Sequence, residues 1–232
     1  MFKKFDPSND VSTSTQVKSS VQRAIKSDIH ESHTNIPEEW LDLLLPKKEP
    51  MTQYKVGPHL VLYCRNNEPV FFQPRDGPIL PTLRLVHAYP QLVFQQVQVD
   101  QGAIPFILGG AHIMCPGLTN AGGHMPPDVQ VEGVIKDGLN VGDAVVVYAQ
   151  GKEYALAVGM MKMTSRDMYV LTFLSILVSC VYVSDYITRS LRFSFFHSSC
   201  LVHTYRRSKN KGIAIEVHHY LGDGLFNTTE IS

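Results

Sequence analysis

The sequence predicts an α+β protein built in two units: a small α+β domain over 1–91, then a compact β-barrel over 92–226. Three observations carry this. Apolar residues recur at helical spacing near the start of the chain, the period falls to two from about residue 54, and short apolar runs separated by Gly/Pro turns fill the second half. The 232 residues give room for two small cores, and 44% hydrophobic with 18% charged residues suits a globular chain rather than a disordered one.

Residues 11–45 open with a helical pattern in which Val17, Val21, Ala24, Ile25 and Ile29 share a face. "NIPEEWLDLLL" reads as a second short helix, with Pro37 near its first turn, Glu38 and Glu39 at the positive end of its dipole and Pro46 ending it. "HLVLYCRNNEPVFFQPRDGPILP" reads as strand, turn, strand, with Asn66-Asn67 as the hairpin tip and Arg75-Asp76-Gly77-Pro78 as the next turn. "TLRLVHAYP" reads as a short helix closed by Pro90.

In the second unit, Asp100–Ala103 is expected to form a helical turn, followed by a strand, a Gly109-Gly110 turn and another strand. A Gly/Pro-rich loop, "TNAGGHMPPD", leads to strands in "VEGVIKDGLNVGDAVVVYAQGKEYALAVGMMKM", with a hairpin tip at Gly151. "TSRDM" starts as a helix capped by Thr164 or Ser165. "GIAIEVHHYLG" reads as the last strand.

The 21 basic and 21 acidic residues cancel, so nucleic-acid binding would rest on a local patch and not on a global field. Cys64, Cys115, Cys180 and Cys200 form no CxxC pair, and no Cys/His cluster has zinc spacing, so thiols in a reducing cytoplasmic compartment are expected, with no metal and no cofactor. The start "MFKKFDPSNDVSTSTQ" has no apolar run behind its lysines, which argues against a secretory signal. There is no GxSxG, P-loop or HExxH. His218-His219 on a strand would point to opposite faces, and "YLGDGL" is too short for a phosphate cradle and reads as a turn. No catalytic residue and no small-molecule substrate is expected.

"GAIPFILGGAHIMCPGL", "GDAVVVYAQGKEYALAVGMMKM" and "KGIAIEVHHYLGDGL" resemble the three parts of a PUA domain. With "MFKKFD", "WLDLLLPKKEP" and "EPVFFQPRDGPILPTLRLVHAYP", the chain resembles the malignant T-cell-amplified sequence family over about 1–167 and 207–226. The resemblance implies an α+β domain followed by a PUA pseudobarrel. It also implies a non-enzymatic, RNA-binding translation factor on the small ribosomal subunit, acting on rRNA and tRNA with a density-regulated-like protein partner and promoting tRNA release and re-initiation. An accessory or catalytic subunit of an RNA-modifying enzyme is the alternative from another class.

In PUA domains the glycine-bearing region meets RNA, and here that is Gly109, Gly110, Ala111, His112, Met114, Pro116 and Gly117, with Pro116-Gly117 expected to fix the next turn. The glycines remove side chains so that a phosphate or ribose can approach backbone N–H groups; a mere tight hairpin turn is the competing reading. Lys47, Lys48, Arg75 and Arg84 are offered as phosphate partners, against the reading of each as a charge on a solvated loop.

Met168–Arg206 contains no Gly, Pro, Ala, Lys, Glu, Asn or Gln and is crowded with Leu, Val, Ser, Tyr and Phe. Its 16-residue apolar run is short for a membrane span, which would need about 20 residues, so a scaffold anchored through 168–187 is a lesser reading. The composition fits T-rich codons, and Met-Tyr-Val and Tyr-Arg can encode splice-donor and splice-acceptor sequences. Residues 169–206 therefore read as a translated intron or insertion interrupting the second unit.

Overall fold

The computed structural model describes residues 1–47, 49–75, 77–126, 129–131, 134–136, 138–168 and 212–231. Lys48, Asp76 and residues 169–206, read from the sequence as a translated intron or insertion, lie outside the described residues.

The N-terminal unit is a five-stranded antiparallel sheet in the order β1-β2-β3-β4-β5, with strands Val11–Gln16, Met51–Val56, Leu60–Arg65, Glu68–Pro74 and Leu80–Pro81. Helices α1 (Pro7–Asp10), α2 (Ser19–Ser32), α3 (Glu38–Leu44) and α4 (Leu83–Ala88) accompany it. The β3–β4 tip is Asn66-Asn67, both in the left-handed region at φ 49° and 67°, as a two-residue turn matching strand twist requires. Thr82 caps α4, accepting from the Leu85 N–H at 3.3 Å.

The helical reading of the first segment needs correction at its start. Residues 11–16 form a strand, and α2 begins at Ser19. Ser12–Gln16 are exposed on both faces, so no alternation marks the strand; its backbone pairing with β2 holds it. On α2 the buried stripe is Gln22, Ile25 and Ile29, while Val21 is 45% exposed.

The second unit is a five-stranded mixed sheet in the order β6-β10-β11-β12-β7: Gln96–Val99, Ala144–Ala149, Ala157–Met161, Ile213–Tyr220 and Ile113–Met114. β6 runs parallel to β10, and the other pairs are antiparallel. β8 (Val129–Val131) and β9 (Val134–Lys136) form a separate two-stranded antiparallel sheet. Gly151 lies in the β10–β11 turn at φ 72°, and the Asp167 N–H donates to Thr164 Oγ1 at 3.0 Å to start a helical turn at 165–168.

Two predictions in this unit fail. Ile104–Leu108 is a helix, α5, and not a strand. Pro116-Gly117 lie inside a second short helix, α6 (Cys115–Thr119), and not in a simple turn. Both helices carry Pro in their first turn, where its missing N–H costs nothing.

β10 shows why the two units share interior. Ala144 and Val146 belong to the N-terminal core with Phe71, Phe72 and Leu83, whereas Val145, Val147 and Ala149 belong to the barrel core with Val97, Ile215 and Val217. A strand buried on both faces reads as a continuous apolar run, as "AVVVYA" does. Leu225 and Ile231 also enter the N-terminal core, and the Ile231 N–H donates to the Asn67 carbonyl at 2.9 Å.

"YLGDGL" is a turn that runs directly into a helix, Gly224–Asn227. Asp223 Oδ1 caps it by accepting from the Phe226 N–H at 2.9 Å. Its Oδ2 accepts from the Tyr220 N–H at 3.1 Å and lies 2.8 Å from His219 Nδ1, in a pair with no exposed side-chain surface. Phe2 and Phe72 set their rings edge-on to His219 at 5.8 and 5.9 Å, and the Gly224 N–H donates to the Phe2 carbonyl at 2.9 Å. A side chain at Gly224 would overlap the Phe5 backbone at 2.5 Å, so only glycine admits this N-terminal strap.

No helix among the described residues is long and apolar enough to cross a membrane. Cys64 and Cys115 are free and buried, and burial pushes the Cys64 thiol up to about 12.

Candidate nucleic-acid interface

Asp100 begins the site by capping the turn Gln101–Ala103, accepting from the Ala103 N–H at 3.0 Å. α5 follows directly, with Ile107 buried and Phe106 and Leu108 left 69% and 41% exposed. Its end forms a closed cap. The Gly110 N–H donates to the Ile107 carbonyl at 2.8 Å and the Ala111 N–H to the Phe106 carbonyl at 3.0 Å, with Gly110 at φ +85°. A Cβ on Gly110 would sit 3.2 Å from the Tyr220 ring, whereas Gly109 has ordinary helical backbone.

This geometry corrects the chemistry expected of the glycines. The amides of Gly109, Gly110 and Ala111 are all spent on carbonyls of α5, because a helix C-terminus has orphan carbonyls to satisfy. No amide cradle for phosphate remains there. The positive group at the turn is instead Lys3, whose Nζ donates to the Gly109 carbonyl at 3.1 Å.

The other nominated residues fall into two sets. Gly109, Gly110, Ala111, His112, Met114, Pro116 and Gly117 form one run, and all but the half-buried Gly117 are exposed. His112 Nδ1 accepts from the Val217 N–H at 3.2 Å, Met114 pairs with Ile213 across β7–β12, and the Gly117 carbonyl accepts from the Asp100 N–H at 3.0 Å. The cations nominated in the N-terminal unit do not join this run, although Lys3 does. Lys47 lies with Arg23 and Lys26, and Arg75 is exposed beside His59. Arg84 is a structural tie: its Nε donates to the Phe226 carbonyl at 2.7 Å and its guanidinium lies 5.6 Å from the Phe226 ring centre. Lys48 lies outside the described residues.

Sequence reasoning missed Phe106, Leu108 and Lys3. The Asp100 cap followed by Pro105 signals a helix and would have placed Phe106 on its outer face. Nothing local ties Lys3 to a carbonyl 106 residues away.

His218, on β12 beside Glu216, is buried, and burial lowers its pKa to about 4 although Glu216 opposes the shift. Among the described residues no group of three or more His, Cys, Asp or Glu is placed to hold a metal.

Comparison with known proteins assigns the chain. Residues 5–90 match the family model for the Pre-PUA-like domain and residues 95–171 that for the PUA domain. The chain is 38% identical to translation machinery-associated protein 20 of Schizosaccharomyces pombe, with 98% of each chain covered. It is 37% identical to malignant T-cell-amplified sequence 2 of Homo sapiens over 98% of this chain and 97% of that one. A hypothetical protein from Pyrococcus horikoshii shares the fold at a TM-score of 0.58 and 19% identity, covering 94% of this chain and 99% of that one. A conserved PUA-domain protein from Thermoplasma acidophilum does so at 0.51 and 18%, with the same coverage. With a Pre-PUA unit ahead of a PUA barrel and full-length relatives at this level, the chain belongs to the family of translation machinery-associated protein 20 and the malignant T-cell-amplified sequence proteins.

Proposed function

We propose that the protein is a non-enzymatic, cytoplasmic RNA-binding translation factor that acts on the small ribosomal subunit with a density-regulated-like protein partner, contacting rRNA and tRNA and promoting tRNA release and re-initiation. The observation that carries the RNA-binding part is the exposed run from Phe106 to Pro116. There the Phe106 ring, the Met114 thioether and the side-chain-free backbone of the glycine turn are exposed, and the Lys3 ammonium donates to the Gly109 carbonyl. Apolar faces suit stacking on unpaired bases, and a lone cation suits one phosphate. Family membership supports the translational setting, since a relative is named a translation machinery-associated protein.

In this reading 1–91 and 92–226 are the two working units. Residues 169–206 are an insertion between β11 and β12, which pair antiparallel on either side of it. Genomic and transcript sequence at the two junctions tests the intron origin. Co-sedimentation in lysate at moderate salt tests the function. The protein is expected in small-subunit fractions, and its absence from them with the partner present overturns the proposal.

A further inference from the structure

A second basic feature lies on the N-terminal unit, built from elements that the glycine turn does not touch. It is a shallow depression lined by Ser19, Gln22, Arg23 and Lys26 of α2 and by Lys47, just beyond α3. Arg23 and Lys26 are three residues apart and so rise from one helical face. Gln22 is only 6% exposed and donates its Nε2 to the Pro46 carbonyl at 3.2 Å, which ties the backbone before Lys47 to α2 and fixes the rim. Arg23 is exposed, and its Nε donates to the Ser19 carbonyl at 3.4 Å, a bond that does not engage the terminal guanidinium nitrogens. Lys18, at the N-cap of α2, supplies no side-chain acceptor, so the first-turn amides add to the positive field.

Asp42 is the carboxylate paired with the depression's Lys26. It lies 2.6 Å from Lys26 Nζ, and Lys26 and then Lys47 hold its carboxyl below the usual range. Three cations against this carboxylate leave a net charge of +2 at the site. No apolar side chain lines the depression among the described residues, so it offers nothing to a peptide's hydrophobic anchor. A sugar-phosphate backbone needs only the charge and the hydrogen-bond donors.

We propose that Arg23, Lys26 and Lys47 form a second RNA contact that holds one backbone phosphate, so that RNA touches the protein at both the N-terminal unit and the PUA unit. The inference rests on the RNA-binding reading above.

The test uses the full chain and a labelled single-stranded RNA oligomer of mixed sequence, titrated at several salt concentrations. Arg23→Gln combined with Lys47→Gln should weaken binding roughly three- to tenfold near 0.1 M salt and reduce the slope of log K against log salt by about 0.7, one phosphate's share for single strands. Lys152→Gln, an exposed lysine of the second unit, should change the slope no more than any distant surface charge. Asp42→Asn removes the opposing charge and should tighten binding, an outcome that a purely structural Lys26–Asp42 pair would not give. If the wild type binds and the double variant, with unchanged melting, keeps its affinity and slope, the phosphate site is overturned while the RNA-binding reading stands. If the wild type does not bind RNA at all, both fall. If the double variant keeps RNA affinity but loses binding to a poly-glutamate peptide, the depression is an acidic-peptide site and the proposal is overturned.

Discussion

Gly109→Glu isolates the electrostatics of the glycine turn without breaking it. Gly109 has φ −77°, which any residue adopts, and its Cβ would meet only the Phe106 and Pro105 carbonyls at 3.3 and 3.4 Å. Lys3 Nζ lies 3.1 Å from the Gly109 carbonyl, so the new carboxylate falls within reach of the cation proposed to meet phosphate. There it competes for Lys3 and faces the phosphate, and two negative unit charges about 5 Å apart repel by roughly 0.8 kcal/mol in water and roughly 3 kcal/mol at an effective dielectric of 20. The expected loss of RNA affinity is therefore about 4- to 200-fold, larger at low salt. Gly109→Gln carries the bulk without the charge and should lose far less. Fluorescence anisotropy with labelled RNA reads the affinity, and circular dichroism melting confirms the fold. A folded Gly109→Glu variant that binds within twofold of wild type would refute the reasoning and remove the turn from the interface.

Other outcomes follow from packing and charge. Gly224→Ala drives a methyl into the Phe5 and Phe2 backbones and should cost about 1–3 kcal/mol, read as a lower melting temperature; an unchanged value would show that the strap is not tightly seated. Asp223→Ala strips the acceptor from His219, Tyr220 and Phe226 and should destabilise by about 3–5 kcal/mol in denaturant titration, where a loss under 1 kcal/mol contradicts the buried-pair account. His218 has a folded pKa of about 4 against 6.5 unfolded, so only the unfolded chain takes up its proton between these values. Its stabilisation is complete above pH 6.5 and is lost as pH falls to 4, about 3 kcal/mol in all, and His218→Gln should flatten the stability curve over that window. Deleting Tyr169–Arg206 shortens the link between Met168 and Gly212 from 43 residues to five and should raise stability by about 2 kcal/mol with RNA binding intact; unfolding on deletion would assign the segment to the core.

Much of the fold was legible because particular residues had no alternative role. Asn66-Asn67 between two alternating runs specifies a tight hairpin, and Thr164 ahead of Asp167 specifies a helix start; both are present. The failures share a cause. "VSTSTQ" pairs as a strand with both faces in solvent, so the hydrophobic period that betrays strands is missing. "IPFIL" is five apolar residues, too few to distinguish period two from 3.6, and the outcome was decided by the cap at Asp100 and the proline after it. Of the candidate site, the sequence marks the exposed glycine turn but not its chemistry: the amides of Gly109, Gly110 and Ala111, expected to meet a ligand, are claimed by the end of a helix. Gln22, a polar residue on the buried stripe, gave no sign in the sequence that it would tether Lys47 beside Arg23.

The sharing of the N-terminal core with Leu225 and Ile231 bears on biosynthesis. A chain emerging from the ribosome at roughly 5–20 residues per second exposes β5 some 8–30 s before Ile231 is made. Throughout that interval Phe71, Phe72 and Leu83 lack the neighbours that cover them in the finished protein, and Phe2 has no His219 to rest on. The first unit is thus held as an unfinished sheet during translation, with greasy surface open to holdase chaperones. It acquires its final packing only when the last strand and helix swing back across it.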